Sequence, residues 1–171
     1  MNSKIILALD PSGNFTEGKG TTGWCLFDQE AMNILEASSI SAKAFDSREA
    51  YWKANAELIK QCSKVYKDRL IVVIEDYILY ANKANNQINS KLETSRLLGI
   101  LQYICYDCKI DYTTQLAASV KNRWTNEILE HKGIINHTPN KGYSTNAQVK
   151  LNRHSLDAVR HAVHYATFTK E

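Results

Sequence analysis

The chain has 171 residues, of which 44% are hydrophobic and 23% charged, a composition typical of an ordered globular protein and not of a disordered one. Its net charge of +3 is too small to identify a polyanion-binding protein, and its length suits one domain, residues 1–171. The first apolar run, Ile5 to Leu9, is too short for a signal peptide or a membrane span, so we expect a cytoplasmic protein without a membrane partner.

Three strands are predicted in the first 41 residues. Lys4–Asp10 has the apolar run of a buried strand and stops at a Pro-Ser-Gly turn. After a polar, glycine-containing loop, Thr22–Asp28 and Met32–Ser41 follow, separated by a tight turn. We therefore expect these last two strands to be antiparallel.

A long helix and a strongly apolar strand come next. Ser47 is a suitable N-cap for a helix that reaches Tyr66, with one apolar stripe along it. The predicted stripe contains Tyr51, Ala54, Leu58 and Cys62. Leu70–Ile74 is apolar throughout and rich in β-branched residues, which is typical of a buried parallel strand.

The second half of the chain alternates helices with one more strand. We predict a helix over Ser90–Tyr106, a strand over Ile110–Thr114 and a further helix, capped by Ser119, that carries Trp124, Ile128 and Leu129. Residues 131–146 are predicted to be an irregular loop, and Arg153–Thr167 the last helix. A three-stranded meander followed by strands that helices separate predicts an α/β fold, with a mixed five-stranded sheet and helices on both faces.

Positive charge is concentrated towards the C-terminus. Residues 115–171 hold 8 Lys and Arg against 4 Asp and Glu, whereas residues 1–114 hold 13 against 14. A basic segment suits a polyanion, because phosphate neutralisation supplies most nonspecific affinity for nucleic acid. A solvated basic surface explains the same charges equally well.

Carboxylates follow the two most apolar strands. Asp10 ends the first and Glu75 directly follows Leu70–Ile74. Because parallel strands point their carboxyl ends the same way, these acids are expected side by side. His154 and Asp157 are three residues apart on the last helix, so they share one face. Each of these residues alone has an ordinary explanation as a turn, cap or surface residue.

Together the three carboxylates and one imidazole predict a metal site. Carboxylate oxygens suit Mg²⁺, and an imidazole is better tolerated by Mn²⁺, so either ion is expected to serve. Two such ions can activate a water molecule and stabilise the leaving oxygen of a phosphodiester. The four cysteines supply only one CxxC, Cys105 to Cys108, so we expect reduced packing residues and no zinc site.

The chain contains the segments ILALDPSG…TTGW, IVVIED and HSLDAVRHA, in this order. Together they resemble the RuvC group of Holliday junction resolvases, in the ribonuclease H-like superfamily. The resemblance spans the chain and implies a metal-dependent endonuclease of DNA recombination and repair, which cleaves Holliday junctions, forks or flaps with two metal ions. The matching catalytic and metal-binding positions are Asp10, Glu75, His154 and Asp157. The compact chain fits a phage-type member, which would act in the host cytoplasm.

The resemblance also implies DNA contacts and a dimer. Basic residues are expected to hold phosphates near the metals, with Lys121 the best match by position. The further candidates are Arg123, Lys150 and Lys19. An aromatic residue after Glu75, Tyr80 or Tyr77, is expected to stack at the junction centre. The helix over Ser90–Tyr106 is apolar on more than one face and is expected to form a homodimer.

Two other functions remain open on the sequence. Gly13 to Lys19 resembles a P-loop, but Gly20 stands where Ser or Thr should bind Mg²⁺, and a strand follows in place of a helix. ATPases of the sugar-kinase type share the strand order, yet they need a second domain to close over ATP. A catalytically silent DNA-binding module is the other alternative, and a metal-dependence assay on branched DNA would separate the three.

Overall fold

A mixed five-stranded sheet forms the centre of the molecule, as the sequence predicts. The computed structural model describes residues 3–76 and 92–169. The strands are β1 (Ile5–Asp10), β2 (Thr21–Asp28), β3 (Asn33–Ser41), β4 (Leu70–Asp76) and β5 (Asp111–Leu116). Their order across the sheet is β3-β2-β1-β4-β5. β1 to β3 pair antiparallel, whereas β4 pairs parallel with both β1 and β5.

Helices cover both faces of the sheet. They are α1 (Arg48–Tyr66), α2 (Glu93–Asp107), α3 (Ala117–Arg123), α4 (Asn126–His131) and α5 (Arg153–Phe168). Short 3-10 turns occupy Ala42–Ala44 and Lys67–Arg69. Buried side chains of α1 and α2 pack against one face, and those of α3, α4 and α5 against the other. In the described part of the chain, no helix is long and apolar enough to cross a membrane.

The central strand β1 divides its side chains between two cores. All six of its residues are buried, because β2 and β4 flank it and helices cover it from both sides. Ile6 and Ala8 enter the core beneath α5, whereas Leu7 and Leu9 enter the core beneath α1 and α2. Burying one such Leu or Ile stabilises the fold by about 1.5–3 kcal/mol. The end of this strand is therefore a rigid place for a functional side chain.

The long helix begins where the sequence predicts. The Ser47 hydroxyl accepts a hydrogen bond from the Ala50 N–H at 3.1 Å, and so caps α1. The predicted apolar stripe is wrong in part. Tyr51 and Cys62 are buried, but Ala54 and Leu58 are only half-buried, because Asn55 and Ile59 take the inward positions.

Two local predictions in the second half are wrong. Ser119 lies inside α3, which begins at Ala117, and the cap appears instead at Thr125, whose hydroxyl accepts from the Ile128 N–H at the start of α4. Residues 131–146 are not wholly irregular. They contain a hairpin of β6 (Asn136–Thr138) and β7 (Gly142–Ser144), which turns through left-handed Asn140 and Gly142.

The cysteines are free, as predicted. Cys25, Cys62 and Cys105 are buried, and Cys108 is half-buried. Burial raises the pKa of Cys62 to about 11 and that of Cys105 to about 12, so these thiols stay protonated at neutral pH. They act as packing residues.

Candidate active site

The first two predicted acids lie at the same edge of the sheet. The parallel register of β1 and β4 pairs Leu9 with Ile74, so Asp10 and Glu75 each follow directly on that pair. Asp10 is buried and the Glu75 side chain is largely buried. The sheet topology itself therefore brings these two carboxylates to one crevice.

A third carboxylate, that of Asp157, shares this crevice, because Lys121 Nζ lies 3.2 Å from Glu75 Oε2 and 3.1 Å from Asp157 Oδ2. Burial raises the pKa of Asp10 above its ordinary value, and the negative charges of Glu75 and Asp157 raise it further, while a hydrogen bond with His154 opposes them. Three acids in one crevice repel each other, so a positive charge placed among them is strongly favoured.

The N-terminal part of α5 supplies the remaining two predicted side chains. Asn152 caps the helix by accepting the Ser155 N–H at 2.9 Å. His154 Nδ1 then lies 2.9 Å from Asp10 Oδ2, and Asp157 is buried one turn further along. The hydrogen bond to Asp10 raises the pKa of His154, although burial works against it. The structure thus brings together Asp10, Glu75, His154 and Asp157.

Gly23 allows the helix to come this close. It pairs with Asp10 across β1 and β2, and a Cβ atom at this position would lie 2.1 Å from the carbonyl carbon and oxygen of His154. Any side chain here would push α5 away from the sheet. The sequence shows this glycine only as part of Thr-Thr-Gly-Trp, and its role depends on a contact with a distant helix.

Two basic side chains neutralise the acids. Lys121 Nζ lies 3.2 Å from Glu75 Oε1 and 3.1 Å from Asp157 Oδ2, and it therefore bridges the two carboxylates. The negative charges of Glu75 and Asp157 raise the pKa of Lys121 although burial lowers it. Arg160 pairs with Asp157 and Asn126, and its Nε–H donates to the Trp124 carbonyl at 2.9 Å.

A second histidine, which the sequence analysis missed, contacts Glu75 from the interior. His161 is fully buried, with Nε2 2.9 Å from Glu75 Oε2 and Nδ1 2.9 Å from Gln115 Oε1. Burial raises the pKa of Glu75, but the hydrogen bond from His161 and the charge of Lys121 outweigh it and lower that pKa. The signal available in the sequence was the four-residue spacing from Asp157, which places both side chains on one helical face.

The donor set suits a hard divalent cation. Within residues 3–76 and 92–169, no three His, Cys, Asp or Glu side chains are already arranged to hold a metal ion. Lys121 and Arg160 contact the carboxylates instead. Carboxylate oxygens with one imidazole nevertheless match the preferences of Mg²⁺ and Mn²⁺. Withdrawal of Lys121 from Glu75 and Asp157 would open the crevice to such an ion.

An open groove leads away from the crevice. It has a volume of about 660 Å³ and is lined at its inner end by Lys121, Asp157 and Arg160. Its outer wall includes Gly142 and Tyr143 of the β6–β7 hairpin. A second depression of about 340 Å³ continues from these two residues to Lys141 and Lys150. The two depressions share Gly142 and Tyr143, so together they run from the carboxylates across the hairpin.

The other predicted DNA contacts are spread over the surface. Lys19 forms an exposed ion pair with Glu17 at 3.0 Å. Lys150 is exposed beside the hairpin. The Arg123 guanidinium lies 4.1 Å above the Phe168 ring, at the far end of α5 from His154. Tyr77 and Tyr80 lie outside the described residues.

Solved structures share this fold. The chain is similar to "T. thermophilus RuvC in complex with Holliday junction substrate", with a TM-score of 0.67 and 10% identity over 97% of this chain and 96% of that one. It is also similar to "Thermus thermophilus RuvC structure", with a TM-score of 0.58 and 11% identity over 96% and 94%. No family model and no curated protein matches the sequence. The chain therefore has the ribonuclease H-like fold of RuvC.

Proposed function

We propose that this protein is a metal-dependent endonuclease that cleaves branched DNA, with Holliday junctions as the first candidate substrate and forks or flaps as others. The observation that carries the proposal is the convergence of Asp10, Glu75, Asp157 and His154 from two strands and one helix on a single crevice. The similar fold of RuvC bound to a Holliday junction supports the choice of substrate. We propose one nuclease domain over residues 1–171.

The four converging side chains would hold two Mg²⁺ ions, with Mn²⁺ able to substitute. Bound ions of this kind lower the pKa of an attacking water and stabilise the leaving oxygen of a phosphodiester. The protein's own contribution is to hold Asp10 and Asp157 in buried positions and to keep His154 aimed at Asp10. Lys121 can neutralise either the carboxylates or a nearby phosphate.

The groove beside the crevice offers a path for a DNA strand. Lys121 and Arg160 lie at its inner end, and Arg153 lines it at the start of α5. Cations along a groove attract the phosphate backbone without reading its sequence. Lys150 extends the same path past the hairpin. Lys19 would reach a more distant phosphate, while Arg123 is the weakest candidate because Phe168 engages it.

Two further parts of the proposal depend on the resemblance to resolvases. Tyr80 is proposed to stack on bases at the branch point. A homodimer through α2 would supply two active sites for paired cuts. The exposure of Tyr103 and Tyr106 on α2 supports such an interface. A phage origin and action in the host cytoplasm remain expectations of the same resemblance.

One observation favours the alternative of a silent DNA-binding module. Lys121 and Arg160 already neutralise Glu75 and Asp157, so the crevice carries internal cations and does not depend on metal for charge balance. A silent module would bind branched DNA equally well in Mg²⁺ and in a chelator, and would never cut it. An endonuclease would require the metal for cutting.

A panel of end-labelled DNAs tests the proposal directly. Four-way junctions, forks, flaps and linear duplex would be incubated with the protein in Mg²⁺, in Mn²⁺ and in a chelator. We expect cuts near the branch point in either metal and none in the chelator. Binding without cutting under every condition would support the silent module instead.

A further inference from the structure

His161 occupies a special place beneath the candidate active site. Glu75 and Gln115 are partners in the register of β4 and β5, so their side chains emerge side by side from the sheet. His161, on α5, lies over this pair and contacts both, at 2.9 Å on each ring nitrogen. It is the fully buried histidine of α5, whereas His154 and His164 are partly exposed.

The chemistry of these contacts fixes where one proton lies. An ionised carboxylate only accepts hydrogen bonds, so Nε2 of His161 must carry a proton and donate a hydrogen bond to Glu75. Nδ1 can donate to the Gln115 carbonyl oxygen, or it can accept from the Gln115 amide if that group is turned over. Either arrangement leaves Nε2–H pointing at Glu75.

Lys121 and His161 both contact the Glu75 carboxylate, but they differ in rigidity. Lys121 approaches from the crevice on a long side chain that is 34% exposed, and it reaches both carboxylate oxygens at 3.2 Å. His161 approaches from the interior, is 0% exposed and is held by Gln115 behind it. When a metal ion displaces Lys121, the contact with His161 is the one that keeps the carboxylate oriented among the residues that the structure describes.

We propose that His161 is a positioning residue for Glu75, which holds this carboxylate towards the crevice so that it can bind a divalent metal. The inference rests on the proposed function, since it assigns the support of one proposed metal ligand. Groups that orient a ligating side chain in this way typically change metal affinity by 10–100-fold when removed. His161 would act through Glu75 and would not touch the DNA.

Two substitutions separate positioning from packing. His161→Leu places an apolar side chain in the core and removes the hydrogen-bond donor to Glu75. His161→Gln keeps an N–H that can reach Glu75. His164→Leu is the matched control, because His164 lies on the same helix and accepts a hydrogen bond from Trp124 Nε1, away from the crevice. Circular dichroism checks that each variant is folded.

The main readout is site-specific Mn²⁺ binding to the DNA-free protein. This binding is defined as the part that is lost in Asp10→Asn. We expect His161→Leu to weaken it about tenfold or more, His161→Gln to recover most of that loss, and His164→Leu to leave it unchanged. Wild-type affinity in a folded His161→Leu, or equal losses in the Leu and Gln variants, would overturn the inference. A wild-type protein that binds no Mn²⁺ would instead overturn the proposed function.

Imidazole NMR of the metal-free wild-type protein tests the contact even if His161→Leu does not fold. We expect a slowly exchanging Nε2 proton on His161. Its chemical shift should move in Glu75→Gln but not in Asp111→Asn. Asp111 is an exposed acid at the opposite end of β5 from Gln115. A His161 Nε2 without a bound proton, or one indifferent to Glu75→Gln, would overturn the inference.

Discussion

His154 Nδ1 lies 2.9 Å from Asp10 Oδ2, so the first turn of the last helix touches the end of the first strand across 144 positions of sequence. This contact depends on the whole sheet, since α5 must pack on β1 and β2 before the two side chains can meet. The same packing buries Asp157 beside Lys121 and His161 beneath Glu75. The geometry of the candidate site therefore depends on the packing of α5 against the sheet.

Gly23→Ala is expected to separate the strand from the helix. The new Cβ would lie 2.1 Å from the His154 carbonyl, so backbone must move, at a cost of about 1–3 kcal/mol in the free energy of unfolding. Gly99→Ala is the control, because no described residue lies within 4 Å of its Cβ and it sits inside α2. Urea unfolding should show a loss for Gly23→Ala and a small gain for Gly99→Ala. Equal stability of Gly23→Ala and wild type would contradict the close approach.

The ion pair of His154 and Asp10 predicts a dependence of stability on pH. The folded pKa of His154 is raised above its ordinary value of 6.5 by the hydrogen bond to Asp10. Its contribution is therefore complete below about pH 6.5 and is lost as pH rises through the folded pKa. In a chelator, the free energy of unfolding of wild type should exceed that of His154→Gln by more at about pH 6 than at about pH 9. The change in this difference should be about 1 kcal/mol at most, because the imidazole is 35% exposed. A difference that grows with pH would reverse this assignment.

His154→Asp tests the metal preference of the site. The substitution gives an all-oxygen donor set, which suits Mg²⁺, so substantial Mg²⁺-dependent cleavage should remain. His154→Ala supplies no donor and should lose most activity in either metal. Cleavage rates of a four-way junction in Mg²⁺ and in Mn²⁺ measure both effects. Full activity of His154→Ala would show that the reaction does not need the His154 imidazole.

Lys121→Ala should weaken binding to every form of DNA by a similar factor. Loss of one phosphate contact lowers the slope of affinity against salt concentration by about 0.9 on logarithmic axes. Lys60→Ala is the control, since Lys60 pairs with Glu57 on α1, against the other face of the sheet. Titrations of duplex and junction at several salt concentrations check the prediction, and an unchanged slope would remove Lys121 from the DNA contacts.

The parts of the fold that sequence reasoning predicted are those with long, unmixed patterns. β1 and β4 are apolar runs whose ends mark Asp10 and Glu75, and α5 has one strong apolar face that leaves Asp157 on the side of the crevice. The hairpin of β6 and β7 was missed because each strand has only three residues, too few for an alternating pattern.

Contacts between distant elements account for the rest. The role of Gly23 depends on how closely α5 approaches β2, and that of His161 on the register that sets Glu75 beside Gln115. Local spacing places His161 on the same helical face as Asp157, but it shows neither of these contacts. The ion pairs of Lys121 and Arg160 likewise require the folded arrangement of α3 and α5, although their charges are visible in the sequence.

We propose that the buried carboxylates at this crevice hold the metal through which the protein cuts DNA. The most direct measurement compares cleavage and binding of a labelled four-way junction by wild type, Asp10→Asn and Asp157→Asn in Mg²⁺, with the exposed Asp111→Asn as control. Each site substitution removes a charge and keeps the shape of the side chain, so we expect DNA binding to persist while cleavage falls by at least about a hundredfold. Near-normal cleavage by Asp10→Asn or Asp157→Asn, with Asp111→Asn also active, would contradict the account.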